Sequence, residues 1–131
     1  MGMDIGIGRK ARIGLAVTFG AAAMLALGAN PAFAQEGNFT VGSGSCVAIE
    51  EIQLQSTSTG LHDFMENNPI QASATDPYWC RFSLIDNGTE VWHSTGAGSG
   101  WWADGPGHNM QACVERWYNG TRLSHTCGPI N

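Results

Sequence analysis

From residue 46 to residue 127, apolar and polar positions alternate in short runs broken by Gly, Asn, Ser and Pro. That period of two belongs to half-buried strands, not to helices of period 3.6. The clearest unit is 78–95, where Tyr78, Cys80, Phe82 and Leu84 share one face and Trp79, Arg81, Ser83 and Ile85 the other. Asn87-Gly88 supplies a type I′ turn. A strict two-residue loop then sets Leu84 against Val91, Ser83 against Trp92 and Phe82 against His93, with Cys80, Phe82, Leu84 and Val91 as the core face. Residues 110–118 and 121–127 form a second hairpin around Asn119-Gly120. Here a strict turn would oppose Cys113 to Thr126, one place from Cys127, so a bridge between these cysteines requires a bulge or longer loop.

The flanking segments are less regular. Residues 35–45, rich in Gly, Ser and Asn, read as a loose lead-in, with Phe39 and Val41 available to a sheet edge. In 46–55, Val47 and Ile49 share one phase and Ile52 and Leu54 the other. A switch at Glu50-Glu51 implies a bulge or bend in a strand, the alternative being a short amphipathic helix. The cluster 56–60 ends this element, and 61–67 suggests a helical turn around Phe64 and Met65 before Pro69. Ile70, Ala72 and Ala74 alternate like a short edge strand. The glycine-rich stretch 96–107 reads as a mobile connection with a short strand around Trp101-Trp102. The fold class expected is all-β: a small antiparallel β-sandwich or barrel, Greek-key-like, braced by two disulfides, with little helix.

The amino-terminal residues change the compartment. Arg9, Lys10 and Arg12 precede an uncharged stretch, 13–29, and then Asn30-Pro31 and Ala32-Phe33-Ala34. A basic region, an apolar region and a small-x-small pattern make a signal peptide, cleaved after Ala34. The rival, a membrane anchor, would need about 17 to 25 apolar residues, and the adjacent cleavage pattern favours removal. Residues 35–131 are then expected as one secreted, extracellular β-domain with no stable membrane insertion. They hold Arg81, Arg116 and Arg122 against ten acids, a net charge of −7 with His neutral. A nucleic-acid role needs a basic stripe, so no nucleic-acid partner is expected.

All four cysteines, Cys46, Cys80, Cys113 and Cys127, lie in that part. An even count in a short exported chain favours two bridges. Of three possible pairings, Cys46 with Cys80 and Cys113 with Cys127 is favoured, because the second pair flanks a hairpin. No close C-x-x-C pair suggests zinc, so no metal or cofactor is assigned.

Candidate chemistry rests on aromatic residues. With five tryptophans, Trp79, Trp92 and Arg81 are expected on the outer face of the first hairpin, where flat rings can receive a sugar or a partner's side chain. Trp101 and Trp102 join them as candidate binding residues. The plainer reading covers this face with the second sheet or the Trp101-Trp102 loop. His62, His93, His108 and His125 are scattered without metal-ligand spacing. His62-Asp63 has no positioned nucleophile, and neither Gly-rich serine segment matches a nucleophile elbow. Asp76, Asp86, Asp104 and Glu115 could serve as paired acids, but they read mostly as solvated charges. No catalytic residue is assigned. Three N-x-T patterns begin at Asn38, Asn87 and Asn119, two of them already explained as turns.

Cys113-Val114, a turn, then Cys127-Gly128, with an earlier Cys pair and Gly105-Pro106, resembles small secreted proteins of filamentous bacteria of the spore-associated type. The likeness covers about the last third of the chain. It implies an extracellular two-disulfide β-domain and carries no catalytic residues. The expected function is a small secreted, non-catalytic binding or surface exoprotein, with an extracellular protein or carbohydrate as partner and no assigned oligomeric state. The alternative is an inhibitor of an extracellular amylase or protease, and a third reading is a small hydrolase. The bacterial amylase inhibitors share size and bridge count, but their Trp-Arg-Tyr element is absent, and Glu115-Arg116-Trp117-Tyr118 only echoes it.

Overall fold

The computed structural model describes residues 36–131. The expected leader, 1–34, lies outside the described residues. Eight strands follow in chain order: β1 (Gly37–Ser43), β2 (Cys46–Thr57), β3 (Gly60–Ala72), β4 (Tyr78–Asp86), β5 (Thr89–Ser94), β6 (Trp102–Ala103), β7 (Met110–Tyr118) and β8 (Thr121–Cys127). They form two four-stranded sheets, ordered β1-β2-β3-β6 and β5-β4-β7-β8, with every pairing antiparallel. After β5 the chain crosses to β6 in the first sheet and returns to β7 beside β4. No helix occurs among the described residues. The all-β expectation therefore holds as two layers.

Both bridges take the favoured pairing. Cys46 of β2 and Cys80 of β4 are joined from one sheet to the other, with Cα atoms 5.5 Å apart. Cys113 and Cys127 are joined between β7 and β8. The bulge that this second bridge demands is present, with Arg116 opposite Ser124 but Trp117 opposite Arg122, leaving Leu123 as the extra residue.

Several readings need correction. The lead-in is not loose, because β1 pairs with β2 from Gly37 to Ser43. Phe39 and Val41 do join the edge strand, while Asn38 and Thr40 point to solvent. The phase switch in β2 does not occur. Cys46, Ala48, Glu50 and Ile52 are buried in unbroken alternation, and the irregularity falls between Val47 and Ala48, opposite Pro69 and Gln71. Val47 and Ile49, the apolar residues that suggest the other phase, are the half-buried outward positions, and the inward position between Ala48 and Ile52 is Glu50, wholly buried. The suggested helical turn, 61–67, is strand. Leu61, Phe64 and Met65 have helical spacing, but the inward positions are Asp63, Met65 and Asn67. Polar residues inside the sandwich disguised both strands.

The inner faces pack as two apolar clusters. One holds Val41, Cys46, Ala48, Cys80, Phe82 and Val114, and the other Ile52, Met65, Leu84, Met110 and Ala112. On β2, Glu50 lies between Ala48 of the first and Ile52 of the second, directly opposite Asn67 of β3. This polar pair ties the layers together: Asn67 Nδ2 donates to the carbonyls of Ser83 (2.9 Å) and Cys113 (3.1 Å), and Ala112 N–H donates to Glu50 Oε2 (2.5 Å). Trp92 packs against both clusters from β5.

Candidate functional site

The outward face of the second sheet carries two of the five residues expected to make contacts, Trp79 and Arg81. β4 presents Trp79 and Arg81, and β7 lies beside it with Trp117 opposite Trp79 and Glu115 opposite Arg81. Directly opposed residues on neighbouring strands bring their side chains together. The two indoles stack at 5.1 Å between centroids and 12° between planes. Their polar edges are already occupied: Trp79 Nε1 donates to the Asn119 carbonyl (2.9 Å) and Trp117 Nε1 to Glu115 Oε2 (2.7 Å).

Next to the pair runs a ladder of charge. His93 Nδ1 lies 2.9 Å from Glu90 Oε1, which is 2.5 Å from Arg81 Nη2. Arg81 Nη1 is 3.9 Å from Glu115 Oε2, and Arg122 Nη1 is 3.3 Å from Glu115 Oε1. The Arg81 guanidinium, bonded to Glu90, holds the Glu90 carboxyl below the usual carboxylate range. In return Glu90, with Glu115, raises Arg81 further above its ordinary value. The ladder fixes long side chains in place and gives the face donors and acceptors in alternating order.

Of the four candidate tryptophans and Arg81, the structure brings Trp79 and Arg81 together and adds Trp117, Glu90, Glu115 and Arg122. Trp92 is not on this face. The first turn holds Asp86 opposite Thr89 and Ile85 opposite Glu90, but Val91 is then an extra residue, so Leu84 faces Trp92 and Ser83 faces His93. The bulge turns Trp92 inward and leaves Val91 outside the core face, where it is exposed. Trp102 belongs to the first sheet, opposite Met65, packs against the core and donates its Nε1–H to the Ser99 carbonyl (3.3 Å). Trp101 is exposed on the adjoining loop. Trp117 was missed because its partner Trp79 is 38 positions away, and the β4–β7 pairing leaves no local signal.

The remaining candidates do not assemble a reacting group. All four histidines are exposed, and His62 bonds Thr59 Oγ1 (2.6 Å) while Asp63 is buried on the other side of β3. Cys113, His125 and Cys127 gather within 4.8 Å, but the two sulfurs are bonded to each other, so no thiolate is offered. Two acids expected to be solvated are not: Asp104 and Glu115 are 4% and 7% exposed. Asp86 accepts from Asn109 N–H (3.2 Å) and lies 2.7 Å from His108 Nδ1. Comparison with protein-family models, curated proteins and solved structures found no match.

Proposed function

We propose that this protein is a secreted, non-catalytic binding domain whose contact surface is the outward face of the second sheet, and that it takes an extracellular carbohydrate. The observation that carries the reading is the stacked Trp79–Trp117 pair with both indole N–H groups satisfied from within. A sugar ring can lie against such indoles without stranding a polar edge, while its hydroxyls meet the alternating Arg and Glu groups beside them. The two disulfides are compatible with an extracellular setting, as are the leader pattern and the resemblance to small secreted proteins.

A glycan array with Trp79→Ala and Trp117→Ala variants tests it, with Trp101→Ala as the off-face control. Loss of signal in the first two and retention in the third supports the face. Equal binding by all three would sink it.

A second reading, an inhibitor of an extracellular hydrolase, draws on the β2–β3 hairpin. Beyond Ile52 and Phe64 its strands pair only with each other, and Leu54 and Leu61 near the tip are 49% and 67% exposed. Such a hairpin, with exposed leucines near its tip, is what an enzyme cleft would receive. A panel of secreted amylases and proteases, all unaffected by the protein, would remove this reading.

A further inference from the structure

After Cys127 the chain continues alongside β7 as a short segment, 128–131. Gly128 N–H donates to the Ala112 carbonyl (2.9 Å), and Asn131 exchanges both backbone bonds with Met110 (2.9 and 3.1 Å). The segment lies over three buried carboxyl groups. A Cβ added to Gly128 would sit 2.5 Å from Glu50 Oε2 and 2.6 Å from Oε1, so glycine is what lets the backbone rest on that carboxyl. Asn131 Nδ2 donates to Asp63 Oδ2 (3.0 Å) and to Asp104 Oδ2 (2.7 Å), and Asp104 N–H donates to the Asp63 carbonyl (2.8 Å). Glu50, Asp63 and Asp104 are at most 7% exposed.

Neutral donors reach the carboxyls, the Ala112 N–H at Glu50, the Phe64 N–H at Asp63, the Met110 N–H at Asp104 and the Asn131 amide at both aspartates, but the charged surroundings are one-sided. Glu50 Oε1, Asp63 Oδ1 and Asp104 Oδ1 find no donor among the described residues, and neither does Asn67 Oδ1, on the residue opposite Glu50. Charged groups facing the cluster are themselves acids: Asp104 toward Glu50, Glu36 toward Asp63, and Asp63 and Asp86 toward Asp104. His108 is held by Asp86, 2.7 Å from its Nδ1. Arg81 and Arg122 are engaged by Glu90 and Glu115 on the far face of the second sheet, and Arg116 lies over Tyr78. Buried carboxylates without a cation are costly, and a proton is the simplest remedy. A proton on Glu50 would also give Asn67 Oδ1 a donor within reach of its cross-strand partner.

We propose that segment 128–131 is a proton-controlled strap, docked across the Glu50, Asp63 and Asp104 carboxyls while they carry protons and released from this end of the sandwich when they ionise. Release uncovers the Met110 backbone and the apolar cluster behind it. Desolvation by burial raises all three carboxyls, Glu50 to about 7 and Asp104 to about 6, which sets the switch near neutral pH.

Amide hydrogen exchange followed by NMR on the oxidised protein tests this, with rates corrected for intrinsic exchange. Between about pH 5 and about pH 8, protection at Gly128 and Asn131 should fall by about tenfold or more beyond any fall at Phe82, a core amide that exchanges through global unfolding, since each unit of pKa displacement is worth a factor of ten. Glu50→Gln, which keeps an acceptor for Ala112 and gives Asn67 a donor, should flatten the response. Asp104→Asn is read the same way if the first variant fails to fold. Constant protection across the range would overturn the strap, as would a loss shared equally by Phe82. Calcium chloride at about 1 mM that restores protection at high pH would also overturn it, making the cluster a cation site.

Discussion

Glu115 on the outward face and Asp63 at the inner end are equally buried, each 7% exposed, yet they sit in opposite chemistries. Glu115 is met by two guanidinium groups and an indole N–H. Asp63 is met by the Asn131 amide and the Phe64 backbone N–H, with a further acid, Glu36, acting on it. Burial by itself therefore says little about the charge a carboxyl can carry here; the neighbours decide. In the outward ladder the Arg81 guanidinium holds the Glu90 carboxyl below the usual carboxylate range. The inner cluster is built to hold neutral ones.

The largest consequence of this contrast is in how stability depends on pH. A carboxyl raised in the folded state binds its proton more tightly there than in the unfolded chain, so its contribution is full below the unfolded pKa and is lost as pH rises through the folded one. For Glu50 that window runs from about 4.5 to about 7, and the loss is on the order of 3 kcal/mol, a sizeable part of a small domain's total. Asp104, raised to about 6, adds a loss of the same sign. Urea denaturation across this range should show the midpoint falling as pH rises, and Glu50→Gln should remove most of the slope. A rising midpoint would mean the inner acids have a cation after all.

Gly128→Ala is the next largest. The added carbon would meet the Glu50 carboxyl, and overpacking of this kind costs about 1 to 3 kcal/mol. The same change at Gly105, where a Cβ would meet nothing within 4 Å, serves as a control expected to cost far less. Thermal unfolding of the two variants at one pH separates a specific contact with Glu50 from a general sensitivity to losing glycine.

The two Asn-Gly hairpins show how much of this was legible. Both turns were readable because Asn87 and Asn119 adopt positive φ, 49° and 51°, which asparagine tolerates better than most residues. Both hairpins also carry a one-residue bulge. In β7–β8 the cysteine spacing announced it, because only an extra residue could bring Cys127 opposite Cys113. In β4–β5 no covalent constraint existed, the strict register was assumed, and Trp92 was placed on the wrong face. The two Asn-Gly hairpins, the bridges and the all-β layering thus followed from local pattern and cysteine count, whereas strands β1 and β3 did not. The binding face did not, since Trp79, Trp117, Arg81 and Glu115 meet only through pairing between β4 and β7. The buried acids were hidden by the same rule that found the other strands, because a charged residue at an inward position looks like a break in alternation.

Within the ladder, Arg81→Ala should cost about 1 kcal/mol. Its guanidinium serves both Glu90 and Glu115 and its side chain is 24% exposed, so the variant leaves a mostly buried carboxylate with fewer donors. The pH dependence has the opposite sign to that of the inner cluster. Glu90 is lowered, so its contribution is present above the unfolded pKa and is lost as pH falls through the folded one. Arg81→Ala should therefore blunt the loss of stability in acid while leaving the neutral-pH slope of the inner cluster unchanged.

Arg122→Ala is expected to matter least. Its side chain is 50% exposed and makes one contact of 3.3 Å to Glu115 Oε1, a geometry typical of surface pairs worth at most a few tenths of a kcal/mol to about 1. Glu115 would keep Trp117 and Arg81 as partners, so no buried acceptor is stranded. If urea denaturation places Arg122→Ala at under about half the cost of Arg81→Ala, each ladder contact acts on its own local terms. If the two cost the same, the ladder is a single coupled network, and the difference between the two faces lies in cooperative ordering of charges, not in the number of donors each acid receives.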